Sequence, residues 1–260
     1  MLERRNPLSK IAAVVPAMVL VALATEVYLP LALAGLALAI LLIGGVSLRR
    51  IAWALLPLAL VALGFLLVYP LLVRRELVAH TPVVMQWGGW VVHEGALRLG
   101  AIATARITAL VSLSLIFSVT TSVNDFLLAL VQQARVPYRV GYAAMAALRF
   151  APLLRYELEQ IRAAHRVRGL AQRGIVGELA HVRRALVPLL ASAIRRAERA
   201  ALAMDGRAFG AYPQRTYWRR VPLGAVDVLF VLLLWGTTAL IVLILHALGL
   251  LGPLSFVQRV

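Results

Sequence analysis

The chain has 260 residues, 62% of them hydrophobic, with a mean hydropathy of +0.87 and a formal net charge of +16. Soluble domains are only about 45–50% apolar, so this composition excludes one and marks a membrane protein. The absence of cysteine excludes disulfides and Cys-based metal sites, and the single lysine, Lys10, follows a serine and no glycine-rich turn, which excludes a P-loop and ATP hydrolysis by this chain.

A helix rises about 1.5 Å per residue and the hydrocarbon core is about 30 Å thick, so a span needs roughly 20 apolar residues. Five runs follow in chain order: residues 11–29, ended by Pro30; residues 31–46, the shortest; residues 51–73, which contain Pro57; residues 96–119; and residues 224–248. Proline inside a membrane helix is tolerated where neighbours satisfy the freed carbonyl. The predicted fold is therefore all-α, a polytopic helical membrane protein with about five transmembrane helices. Residues 1–119 form a membrane domain of four helices, residues 120–222 a helical region outside the bilayer, and residues 223–260 the last span and a tail.

Arg4, Arg5 and Lys10 lie before the first run, Glu26 sits near its end, between the first and second spans, and Arg49 and Arg50 follow the second. Arg74, Arg75, Glu76 and Glu94 lie beyond the third, and residues 120–222, beyond the fourth, hold 17 Arg against 6 acidic residues. The basic clusters fall on the N-terminal side and the other loops are near neutral, which places the N-terminus and residues 120–222 in the cytoplasm. The N-terminus also has the shape of a secretory signal with small residues near Ala34. Cleavage there would remove one span and export the Arg-rich segment, against the charge rule.

The fourth run carries Arg106 about ten residues in, with Ala101, Thr104, Thr108 and Ser112 on one face. Small and hydroxylated side chains allow close helix approach in lipid. Arg106 either faces the protein interior beside a gated surface or snorkels, and snorkelling is the plainer expectation. Residues 72–95 contain His80, Trp87, Trp90 and His93. Trp favours the membrane interface, and two His without a third ligand make no metal site, so an interfacial anchor is expected.

Leu154, Leu158, Ile161, His165 and Arg168 recur at helical spacing, beside a polar stripe of Arg155, Glu159, Arg162 and Arg166. Gly169, suited to a left-handed cap, stops this helix. After the link "LAQRGIVGELAH", a second helix presents Leu190, Ile194, Ala197, Ala201 and Met204 on one face and Arg195, Arg196 and Arg199 on another. Its Ala-rich face predicts close crossing of another helix. It runs into "MDGRAFG", where Gly206 and Gly210 bracket Arg207. Each helix thus delivers an arginine at its tip, where the dipole favours a cation and the guanidinium can fork onto a partner's carboxylate or carbonyls. A solvated or lipid-phosphate-facing surface is the other reading that composition allows.

The run from "TTSVNDFLLALVQQARVPYRV" through "ALRFAPLLRYELEQIRAAHRVRG" to "VRRALVPLLASAIRRAERAALAMDGRAFG" resembles the transmembrane T component of energy-coupling-factor (ECF) transporters, the CbiQ/EcfT-like family. The resemblance covers about 100 residues in the right order, with apolar spans on both sides. It implies a pair of crossed cytoplasmic coupling helices, each ending in an Ala-Arg-Gly type motif that docks on one of two ABC-type ATPase subunits. The first motif falls on Arg168 and Gly169, with Val167 in place of the usual Ala. The second falls on Arg207, where Gly206 and Ala208 exchange the expected Ala and Gly. The resemblance also implies a small membrane substrate-binding S component as a partner, uptake of a vitamin or transition metal across a prokaryotic plasma membrane, and no cofactor in this chain.

Two other readings were weighed against these residues. A membrane enzyme would need further acidic residues after "DGRAFG", and only Asp227 follows Asp205. A membrane-tethered basic protein binding anionic lipid or nucleic acid would use the Arg surplus. Between Arg155 and Arg207 only Tyr156 is aromatic, however, which leaves little for base stacking, so nucleic acid is not an expected partner.

Overall fold

A computed structural model of the chain describes residues 5–73, 81–87, 90–169, 175–212 and 216–251. Arg4, Arg74, Arg75, Glu76 and His80 of the charge and ligand readings lie outside the described residues. The chain forms two compact units, Met1–Ala129 with Val221–Val260, and Leu130–Arg220.

The first unit holds α1 (Pro7–Leu23), α2 (Tyr28–Ile43), α3 (Leu48–Leu72), the strands β1 (Val83–Trp87) and β2 (Trp90–His93), α4 (Glu94–Thr120), most of α5 (Val123–Gln132), and α8 (Ala225–Ala247). Asn6 caps α1, its side chain accepting from the Leu8 amide, and Pro7 takes the first helical position, where a missing N–H leaves nothing unsatisfied. The expected break at Pro30 is displaced. α1 ends at Leu23, and Pro30 instead lies in the first turn of α2, where proline is equally harmless.

Five apolar helices therefore occupy the expected regions, but only three among the described residues are long and apolar enough to cross a membrane: 48–65 of α3, Glu94–Thr120 and Ala225–Ala247. With 17 and 16 residues, α1 and α2 rise only about 24–26 Å. The protein is a helical membrane protein whose outward face is apolar: Leu60 of α3 and Leu232 and Leu243 of α8 are more than half exposed. Residues 72–95, expected as a loop, contain the antiparallel pair β1 and β2, with Trp87 opposite Trp90. Branched and aromatic residues either side of Gly88-Gly89 are the signal for that hairpin.

Helix α4 is the centre of the first unit and packs against α1, α2 and α3. Its buried stripe is Ile102, Ala105, Ala109, Ser112, Leu113 and Ile116, so small residues bring the backbones close. The anticipated stripe is rotated from this one. Of Ala101, Thr104, Thr108 and Ser112 only Ser112 is buried, and the Thr104 hydroxyl donates to the Ala62 carbonyl of α3. Helix α8 packs on α1 and α2, and the Trp235 indole donates to the Ala12 carbonyl.

The second unit is a helical hairpin of α6 (Tyr138–Val167) and α7 (Ile175–Asp205). Both are over 25 residues, and each carries an internal proline, Pro152 and Pro188. Helix α7 already runs at Ile175, inside the stretch expected as a link. Gly141 of α6 lies against α5, since a Cβ placed there would come within 2.1 Å of the Val131 Cγ2 atom.

Candidate functional site

Helix α6 runs to Val167, and Arg168 is its C-cap residue, with φ −79° and ψ 5°. Gly169 follows in the left-handed region at φ 72°, and its amide donates to the Arg166 carbonyl at 3.0 Å. At the other tip the amides of Gly206 and Arg207 still donate back to the carbonyls of Leu202 and Met204. Ala208 follows at φ 54°. The Ala208 amide donates to the Asp205 carbonyl at 2.9 Å and the Phe209 amide to the Met204 carbonyl at 3.0 Å. That pair of bonds is the Schellman motif, with Arg207 at the cap position.

The two tips therefore share one backbone design. Each arginine is the last residue before a left-handed one, and the carbonyls that end the helix are closed by the residues behind it. Glycine does this without strain at position 169, whereas alanine does it at position 208. Arg168 and Arg207 are both exposed, as are Gly169, Gly206 and Ala208.

Aromatic residues fix the second tip. Phe209 packs edge-on against Tyr138 and Tyr142 at the start of α6, with ring centroids 5.6 and 5.7 Å away. The Arg139 guanidinium donates to the Gly210 carbonyl at 3.1 Å, and the Tyr138 hydroxyl to the Tyr212 carbonyl at 3.1 Å. The C-terminal end of α7 thus lies beside the N-terminal end of α6, so the helices run antiparallel and the two arginines sit at opposite ends of the hairpin. The 26 residue steps from Tyr142 of α6 to its C-cap Arg168 span about 39 Å. Midway, the Arg196 guanidinium of α7 meets the Glu157 carboxylate of α6 at 3.1 Å.

Arg106 donates to the carbonyl of Ala24, the C-cap residue of α1, at 2.5 Å. About two turns nearer the start of α4, Arg98 holds both carboxylate oxygens of Glu26 at 2.8 Å, so α4 ties down the connection from α1 to α2. His93 is committed to the Thr81 carbonyl at 3.0 Å. Among the described residues no group of three or more His, Asp or Glu is placed to hold a metal.

Two arginine-capped tips on an antiparallel hairpin, joined to a bundle of apolar helices, are the elements that the sequence resemblance called for. The model of the CbiQ family, described as cobalt transport protein, matches residues 1–218. The chain belongs to the CbiQ family. It is similar to the energy-coupling factor transporter transmembrane protein EcfT of Exiguobacterium sibiricum, 30% identical over 187 residues, covering 68% of this chain and 71% of that protein. The EcfT protein of Bacillus subtilis is 28% identical over 188 residues, 69% of this chain and 71% of its own length. That of Brevibacillus brevis is 27% identical over 254 residues, 91% of this chain and 94% of its own length.

In this CbiQ-family chain the stripe expected at the helix crossing is not the one covered within the hairpin. Leu190 and Ile194 are more than half exposed, Ala197 and Ala201 are exposed, and only Met204 is partly covered. The less exposed stripe of α7 runs through Leu189, Ala193, Arg196 and Ala200, and Arg196 on it meets Glu157. A rotation of one residue, about 100°, separates the two. Arg196, which meets Glu157, falls on the covered stripe among Leu189, Ala193 and Ala200, so a charged residue interrupts that face in the sequence. Phe209, Tyr138, Tyr142 and Arg139 were also missed. Their sequence signal is an aromatic and basic cluster directly after Pro137, with nothing local to say that it meets residues 209–212.

Proposed function

We propose that this chain is the transmembrane coupling subunit of an ECF-type ABC importer. Arg168 and Arg207, flanked by Gly169, Gly206 and Ala208, dock two cytoplasmic ATPase subunits, or the two halves of an ATPase homodimer. ATP-driven closure and reopening of those subunits moves the tips, and α6 and α7 carry the displacement to the membrane helices. The membrane helices hold a separate small S component that binds the vitamin or transition metal. The N-terminus and the hairpin are cytoplasmic, in the plasma membrane of a prokaryote, and ATP hydrolysis belongs to the partners.

The observation that carries this reading is the shared cap at the two tips. Guanidinium groups are exposed at the negative ends of two helix dipoles, each held by a fixed backbone turn, about 39 Å apart along the hairpin. Preorganised forks at that separation suit two distinct acceptors better than one. The exposed apolar row of Leu190 and Ile194 lies along α7 roughly 20–25 Å short of Arg207 and supplies further surface for the same partners. Ala-rich α7 favours sliding over interlocked packing, which suits shear.

The test is co-purification of the tagged protein from native membranes, beside the Arg168→Ala/Arg207→Ala double variant. Two ABC-type ATPases and a small hydrophobic protein are expected with the wild type, and the ATPases should be lost from the double variant while membrane insertion is retained. Normal ATPase recovery with the double variant would refute the docking role.

A further inference from the structure

The first turn of α1 contains the most buried charged residue among those described, Lys10, and it serves no span, since it lies at the end of the membrane unit. Its ammonium donates to the Thr120 carbonyl at 2.8 Å and to the Thr121 hydroxyl at 3.2 Å. Thr120 is the last residue of α4, so a cation sits where the α4 dipole is negative. Residues 120–122 are the peptide connection by which the chain leaves α4 for α5 and the hairpin.

Four residues earlier, Asn6 is 2% exposed and uses every group it has. Its side-chain oxygen caps α1, and its side-chain amide donates to the carbonyls of Val221 and Pro222, each at 3.3 Å. Its backbone amide donates to the Asp227 carboxylate at 3.2 Å. Asp227, itself buried, also accepts from the Gly224 amide at 3.0 Å and so closes the start of α8, where the dipole is positive. Residues 221–224 are the second connection, by which the chain returns from the hairpin to the bilayer. Ser9 donates to the Asn6 carbonyl at 2.8 Å and stiffens the turn that carries both grips.

We infer that Asn6 and Lys10 form a coupling clamp: one turn of α1 holds both peptide connections between the membrane unit and the hairpin segment, so a pull on either is shared by α1, α4 and α8. Apolar contacts alone at a membrane boundary would let the two connections slide independently. Directional hydrogen bonds from the buried Asn6 and Lys10 side chains do not slide, because a displaced carbonyl leaves a buried donor unpaired. Asn6 and Lys10 are therefore positioning residues for transmission. The transmission itself rests on the reading of the chain as a coupling subunit, whereas the clamp rests on geometry alone.

The test has two arms. In the first, the full chain alone in nanodiscs carries Asn6→Ser, which keeps a helix cap but loses both donors to residues 221 and 222, or Lys10→Met, which keeps the stem and loses the ammonium. Amide exchange in residues 221–228 should rise about fivefold or more for Asn6→Ser, and in residues 121–126 likewise for Lys10→Met, while the centre of α4 is unchanged. Unchanged exchange in both connections would overturn the clamp. In the second arm, the partners that co-purify are reconstituted with each variant, and substrate uptake is measured per ATP hydrolysed. Uptake per ATP should fall several-fold with the amount of assembled complex unchanged. A fall only in proportion to lost complex would reduce the clamp to a structural role and overturn the transmission claim. If no ATPase accompanies the wild type, the coupling-subunit reading fails, and the first arm still decides the clamp.

Discussion

The residue after each tip arginine is left-handed, but it is Gly169 at one tip and Ala208 at the other, and exchanging the two types has opposite expected effects. A left-handed conformation disfavours an L-residue by about 1–2 kcal/mol. Alanine recovers about 0.4–1 kcal/mol of that through its less flexible unfolded chain. Ala208→Gly should therefore stabilise the second tip by about 0.5–1 kcal/mol, and Gly169→Ala should destabilise the first by a similar amount. At Gly169 no atom lies within 4 Å of the place a Cβ would take, so the effect there is backbone strain without a clash. Local amide exchange reads the difference, because these bonds break by fraying and global unfolding is not required. The amides of Ala208 and Phe209, bonded to the Asp205 and Met204 carbonyls, should exchange about two- to fivefold more slowly in Ala208→Gly. The Gly169 amide region should exchange faster by the same factor in Gly169→Ala. Faster exchange in Ala208→Gly would refute the shared cap geometry.

Other consequences concern what supports the tips. Gly141→Ala forces a Cβ against the stiff, branched side chain of Val131 at 2.1 Å, so it should destabilise the second unit by about 1–3 kcal/mol, and Val131→Ala in the same chain should restore most of the loss in a thermal denaturation assay. Phe209→Ala removes two edge-on ring pairs, worth about 1–3 kcal/mol together, and should raise proteolytic cleavage between residues 205 and 212 while leaving the first tip protected. The Glu157–Arg196 pair is partly exposed, so a double-mutant cycle with Glu157→Gln and Arg196→Met should give a coupling of about 1 kcal/mol or less, and a value above 3 would mean that the crossing is held by this pair alone.

Much of the membrane unit was legible because lipid imposes a strong compositional signal. Apolar runs of adequate length appear where helices form, and Gly169 ends α6 as its glycine suggests. Helix ends were less legible. Pro30 looks like a stop, but proline stops a helix only from the interior, and here it opens one. Helical phase was also hidden where the covered stripe is interrupted by a charge, as with Arg196 on α7, or made of small residues flanked by threonines, as on α4. Both tips were found by their arginines. Their common geometry was not visible, since Arg-Gly at one tip and Gly-Arg-Ala at the other look different until φ is known at Gly169 and Ala208. Lys10 served in the sequence only to exclude a P-loop and to count toward charge. Its burial against Thr120, 110 residues away, is a tertiary fact with no local signature.

The proposed function requires that the two arginine tips join this chain to ATPases. Its most direct measurement is recovery of ATPase subunits with the tagged wild-type protein and with Arg168→Ala/Arg207→Ala, normalised to the amount of membrane-inserted chain. Loss of the ATPases from the double variant, with the small hydrophobic partner still retained, is the predicted result. Equal recovery in both, or no ATPase with the wild type, would contradict it.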